Sequence, residues 1–263
     1  MERRGLRFVT PGNRLFHYRR FDTAIKYILP DRTLRLNPII GTNDPRENRS
    51  FVFSALSKAG FDVNSLSERN KQISDNLRGD VKVLCFSTDR PNHFGFEWSR
   101  MWALYGGNHT GVCLEIDKEE FLKENAELIN SYYLKDIQYR QFNLRKQQES
   151  KQINYIELER MGETKYLREV FRPDHLDYLF YTKDDEWTSE AEVRLLHFSD
   201  RQEEEFCSIK KSLRNIYLGV DFNEELHLEE LKKHSHDIGI AKLEYVDVKL
   251  VPSKIIQEVI LEE

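Results

Sequence analysis

The chain has 263 residues with a formal net charge of −5, 39% hydrophobic and 32% charged residues; this builds a core, excludes wholesale disorder, and suits one elaborated domain rather than two equal ones. No apolar run approaches the ~20 residues that cross a bilayer, and the arginine-rich first twenty residues lack a secretory signal, so a cytoplasmic location without membrane attachment is expected. Cys85, Cys113 and Cys207 are odd in number and lack metal-ligand spacing, which argues against a disulfide framework or a zinc site and for small core residues.

In chain order, Arg3, Arg4, Arg7, Arg14, Arg19 and Arg20 give an acidic chain a basic start, read either as a local attraction for phosphate or as a solvated arm. Residues 15–18 read as a short strand, 23–29 as a helix capped by Asp22 or Thr23, and 33–36 as a second strand. The loop Gly41-Thr42-Asn43-Asp44-Pro45-Arg46-Glu47-Asn48 is rich in turn formers, and Pro45 drives Asp44 out of helical geometry. Residues 51–79 read as helix with weak patterning, 81–87 as a buried strand, and 94–105 as a helix with Phe94, Trp98, Met101, Trp102 and Tyr105 at helical spacing, stopped by Gly106-Gly107. A strand at 111–116 completes a strand–helix–strand unit. The charged stretch 118–179 reads as a helical insertion, and strands follow at 187–198 and 215–220, then a helix at 224–233 and strands at 242–250 and 255–261. The expectation is a single α+β domain over residues 1–263, with a mixed or antiparallel sheet core, flanking helices and the helical insertion.

Four groups of residues bear chemistry. If the segment Trp187-Thr188-Ser189-Glu190-Ala191-Glu192-Val193-Arg194-Leu195 is extended, Glu190, Glu192 and Arg194 share one strand face. Neighbouring carboxylates drive their pKa values apart, so one can hold a proton while the other positions a hydroxyl; the alternative is an exposed edge strand on which Arg194 bridges carboxylates. His17, within Phe16-His17-Tyr18-Arg19, is placed to hydrogen-bond a ligand hydroxyl or is a satisfied core histidine. Cys85-Phe86-Ser87-Thr88 is a strand ending in hydroxyls, followed by aromatics that serve as core or as a pocket roof. The loop with Asn43, Asp44 and Glu47 is a site loop or a capped turn.

Taken together, Phe16-His17-Tyr18, Asn43-Asp44-Pro45, Phe86-Ser87, Met101-Trp102-Ala103-Leu104-Tyr105 with His109 and Gly111, and the segment from Trp187 to Arg194 resemble a bacterial family known only as domain of unknown function 2971, associated with abortive-infection loci. The layout is also similar to the ADP-ribosyltransferase superfamily, although no tyrosine occupies the middle strand. That resemblance implies an ADP-ribosyltransferase-like fold and an enzyme that uses NAD as substrate. His17 and Tyr18 would lie at the adenosine-side ribose, Ser87 on the middle strand and Trp102 or Tyr105 near nicotinamide. Asn43, Asp44 and Arg194 would complete the binding set, Glu192 or Glu190 would be catalytic, and no metal would be needed. It further implies an anti-phage or toxin-type effector that modifies nucleic acid or protein and has an antitoxin or defence-system partner. Two alternatives stand beside it: a metal-dependent nuclease or hydrolase with Asp44, Glu47, Glu190 and Glu192 as oxygen ligands, and a non-catalytic interaction module of a defence system.

Overall fold

The computed structural model describes residues 4–7, 9–42, 51, 53–55, 63–141 and 151–260. Among them, ten strands form one sheet: β1 (Arg14–Arg19), β2 (Thr33–Pro38), β3 (Val81–Ser87), β4 (Val112–Asp117), β5 (Leu134–Asp136), β6 (Glu192–Phe198), β7 (Glu205–Ser208), β8 (Leu213–Leu218), β9 (Gly239–Val246) and β10 (Lys249–Gln257). The main order is β7-β2-β3-β1-β4-β8-β9-β10, with β6 on β3 and β5 on β6. Every pairing is antiparallel except β8 with β9, which the helix Glu224–His234 connects as a crossover. The α+β class with a mixed, mostly antiparallel sheet is therefore as expected.

Apolar residues on both faces make β3 an internal strand. Leu84 and Phe86 join a core with Leu15, Leu114 and Leu195, whereas Val81 and Val83 pack against Leu77, Phe171 and Phe180 from the helices Val63–Arg78 and 163–180. A third core, of Phe16, Tyr18, Phe96, Trp102 and Tyr217, lies under the helix Ser99–Leu104. The helical layer is fixed at the start of β3 by Asp80, which accepts from Arg172 at 2.6 and 3.1 Å with both side chains buried.

One irregularity in the sheet positions everything that follows. One edge of β3 is paired along its whole length by β6, but the other is shared. β2 reaches it only at Asn37↔Val83 and Pro38↔Lys82, and β1 only at Phe16↔Ser87. Between those contacts β1 and β2 diverge, and the sheet is split beside residues 84–86.

Several local expectations differ from this arrangement. The first helix begins at Phe21, not at a capping Asp22 or Thr23; it has no side-chain cap and passes into a π-turn over Ala24–Ile28. Residues 51–79 are not one helix, because Phe53–Ala55 is a strand paired with Lys151–Ile153, and helix covers Val63–Arg78. The aromatic helix covers only Ser99–Leu104; ahead of it the ring of Phe16 occupies the space where a Cβ on Gly95 would stand, 2.0 Å away, and the chain there is irregular. The stretch 118–179 is not purely helical, since β5 belongs to the main sheet and Gln138–Arg140 pairs in parallel with Thr182–Asp184. The strand expected from Trp187 begins at Glu192, after a 3-10 turn over Asp185–Glu190. The strand Glu205–Ser208, which pairs with β2, was not expected at all.

Candidate functional site

The split opens into a cavity of about 330 Å³, lined by His17, Arg19, Ser87, Tyr105, Glu190 and Glu192 among others. This lies at the lower end of small-molecule sites. It adjoins a groove of about 1030 Å³ through the shared residues His17, Arg19, Asn37 and Tyr105.

His17 stands on β1 at the split. Its Nδ1 lies 3.0 Å from the carbonyl of Cys85, and because a carbonyl only accepts, Nδ1 carries the proton. Burial, with the charge of Arg19 nearby, holds the imidazole pKa well below its usual value, so the ring is neutral and Nε2 keeps a lone pair. The edge of the ring packs against Phe86. Arg19, two residues on, emerges on the same strand face as His17 by the period of two. Among the described residues it has no carboxylate partner, and its one hydrogen bond is a long one, 3.5 Å, to the carbonyl of Tyr18.

On the opposite wall the late-strand segment behaves differently from an edge strand. β6 is paired on both sides, and Glu190, Glu192 and Arg194 are each 3% exposed or less. Arg194 Nε donates to Glu192 Oε1 at 2.7 Å and Nη1 to the carbonyl of Phe180 at 2.8 Å. Lys183 Nζ sits 2.7 Å from both Glu190 Oε2 and Glu192 Oε2, and Tyr105 Oη donates to Glu190 Oε1 at 2.8 Å. Burial opposes ionisation of Glu192, but Arg194 and Lys183 outweigh it and hold its pKa at about 2. Among the described residues that line the cavity, two carboxylates thus stand beside the cations Lys183 and Arg194, and Arg19 adds a further positive charge.

Glu190 comes to this network through a turn and not along a strand. Ala191 is left-handed at φ 43°, an unfavourable region for a residue with a Cβ. The turn is pinned from β3: Ser87 Oγ donates to the carbonyl of Glu190 at 2.8 Å, and Thr88 N to that of Ala191 at 3.0 Å. Ser87 therefore positions the glutamate. Tyr139 Oη accepts from the backbone N–H of Glu192 at 2.8 Å and secures the following residue.

Of the expected site residues, His17, Ser87, Tyr105, Glu190, Glu192 and Arg194 come together around the cavity. Trp102 does not: it is fully buried in the third core, its indole N–H bound to the carbonyl of Phe96, and it is a packing residue. Tyr18 touches the cavity lining, but its hydroxyl donates away to the carbonyl of Gly95 and its ring lies on Trp102, so a direct ligand role for its phenol is corrected to support. Asn43, Asp44 and Glu47 lie outside the described residues. For the metal reading, the Lys183 ammonium already bridges Glu190 and Glu192 where a bound cation would lie. Lys183 was missed in the sequence. The charges of Glu190, Glu192 and Arg194 require one more cation, but nothing in the sequence selects it from 40 lysines and arginines.

Residues 101–195 match the model of a family described as Protein of unknown function (DUF2971). The match includes the motif from Met101 to Gly111 and the segment from Trp187 to Arg194, and leaves out Phe16-His17-Tyr18 and Phe86-Ser87. No curated protein and no solved structure matches the chain. Among the described residues, no helix is long and apolar enough to cross a membrane.

Proposed function

We propose that the protein is an NAD-cleaving enzyme of the ADP-ribosyltransferase kind, with Glu190 as the catalytic carboxylate. One observation carries the reading: a buried glutamate on a strained turn, held by the middle strand, stands at a cavity in a split sheet whose first strand presents a neutral histidine. Glu190 suits the role better than Glu192, whose charge is spent on two cations. Glu190 shares only Lys183, and its Oε1 faces a neutral phenol that a ribose hydroxyl could join or replace.

In this reaction the bond between C1′ of the ribose and the pyridinium nitrogen breaks. Its electron pair leaves with nicotinamide, which departs neutral and needs no proton. Positive charge grows on the ribose, and a carboxylate at its hydroxyl stabilises that oxocarbenium-like state more than the ground state. The acceptor then forms its bond to C1′ and gives up a proton to solvent. His17 Nε2 would accept a hydrogen bond from a ribose hydroxyl, and Arg19 would offset phosphate charge. Assignment as an anti-phage or toxin-type effector with a defence-system partner rests on the family resemblance, a cytoplasmic location rests on the sequence, and both belong to the same proposal.

The test is release of nicotinamide from labelled NAD by the purified chain with DNA, RNA and protein present. Glu190→Gln, whose amide oxygen can accept from Lys183 while its NH2 donates to the Tyr105 oxygen, leaves Lys183 paired with Glu192 and is expected to lower the rate by about 100-fold or more in a protein that still folds. Glu192→Gln removes the buried charge that Arg194 and Lys183 share and is expected to lose about 3–5 kcal/mol of stability. A folded Glu190→Gln protein with full activity, or a parent that releases no nicotinamide, overturns the reading.

A further inference from the structure

The groove that adjoins the cavity is a second feature, distinct in chemistry. On β2, residues 33, 35 and 37 share a face, so Asn37 marks the cavity end and the groove runs outward past Arg35 to Thr33, about 13 Å at the rise of a strand. Across the β2–β7 ladder Phe206 is the register partner of Arg35, and the helical turn after β1 supplies Arg20, Lys26 and Tyr27.

The charge of this lining is opposite to that of the chain. Among the described residues that line the groove, Arg19, Arg20, Lys26, Arg35 and Lys210 face only Asp31 and Glu204, and Glu204 is taken by Arg35 at 2.7 Å, on a protein of net charge −5. Two large rings are left in water beside these cations, Tyr27 at 61% and Phe206 at 42% exposure, and the ammonium of Lys26 lies 5.1 Å from the Tyr27 ring centroid. Exposed rings along a cationic groove are the combination that holds single-stranded nucleic acid: cations follow the backbone and each base offers a face to a ring. A double helix would not present its bases to the rings.

We infer that this groove docks a single-stranded nucleic acid and leads it toward the Glu190 cavity as the ADP-ribose acceptor. The acceptor role rests on the function proposed above; the docking does not. It also divides the basic stretch that the sequence suggested for phosphate, since Arg19 and Arg20 line the groove. Arg14, in the basic N-terminal stretch, is buried against Asp89 at 2.8 Å, and Arg3 lies outside the described residues.

The experiment is fluorescence anisotropy of the full chain with a labelled, mixed-sequence 20-mer of single-stranded DNA or RNA, from about 50 to 200 mM salt, without NAD. Lys26→Ala with Lys210→Ala is expected to flatten the slope of log K against log salt by about 1.4, or 0.7 for each lost phosphate contact. Tyr27→Ala is expected to weaken binding about 5-fold or more at every salt concentration. Nicotinamide release without acceptor should be unchanged in both variants. Absence of oligonucleotide binding at the lowest salt, or unchanged affinity and slope in the folded variants, would each overturn the groove assignment, and transfer of NAD-derived label to polypeptide and none to oligonucleotide would overturn the acceptor role. Binding by a chain that never cleaves NAD leaves the groove standing and removes only the proposed function.

Discussion

At the residue scale, the imidazole of His17 is the clearest example of a side chain whose chemistry is set by its position. It is 4% exposed, donates to the Cys85 carbonyl and is kept neutral by burial, so its pKa when folded is below that of the unfolded chain. Below about pH 6.5 the unfolded state therefore binds a proton that the folded state refuses, and stability falls as pH falls through that point, by up to about 1.4 kcal/mol per pH unit. His17→Gln retains an amide donor and removes the titration. Urea midpoints measured from pH 7.5 to 5 should fall less steeply in the variant; parallel curves would show that His17 is not held neutral. The same variant should bind ADP-ribose more weakly. Glu192 titrates in the opposite sense to an ordinary buried acid. With its folded pKa near 2, its contribution is present above the usual carboxylate range and is lost only as pH falls toward 2.

Elements here are placed by close backbone approach as much as by side chains. Gly111 precedes β4 and lies where a Cβ would stand 2.3 Å from the carbonyl oxygen of Arg19 and 2.8 Å from that of Gly106. Neither neighbour is a flexible side-chain end, so Gly111→Ala must push β1 away from β4. The expected cost is roughly 1–3 kcal/mol, as for overpacking, together with weaker ADP-ribose binding, because Arg19 and His17 ride on β1. A thermal melt with a ligand titration checks both; a loss of stability without loss of affinity would mean that the strand yields elsewhere. The split between β1 and β2 is likewise a property of the ladder. Two strands share one edge of β3, and the cavity exists because neither covers residues 84–86.

For the molecule as a whole, β3 touches the helical layer at one end and the site at the other. Asp80 and Arg172 join the two at the end of β3 remote from Ser87, about 20 Å away along the seven-residue strand. Asp80→Asn preserves shape and leaves the buried guanidinium uncompensated, with an expected cost of about 3–5 kcal/mol in urea unfolding. NAD cleavage at low temperature should be retained, since the network around Glu190 is not touched. Loss of activity in a folded Asp80→Asn protein would show that the helical layer takes part in shaping the site.

The sequence by itself determined the class of fold, because alternation and apolar runs mark strands such as residues 15–18 and 81–87 locally. It also singled out His17, Ser87, Glu190, Glu192 and Arg194, because charges and hydroxyls within apolar strands stand out from their neighbours. What it did not determine was every relation that depends on register. The sequence reading put Glu190 on a strand with Glu192, whereas the left-handed turn at Ala191 delivers it from a 3-10 segment and Ser87 and Thr88 hold that turn. Trp102 has the same local spacing as Tyr105, yet one is sealed in a core and the other reaches Glu190. β7 and the cationic groove join residues far apart in the chain, where only the tertiary pairing chooses the partners, and Lys183 meets Glu190 and Glu192 because the 3-10 turn folds the chain back between them. Spacing along a chain fixes which face a side chain takes, and the pairing of faces is decided by the burial of the whole sheet.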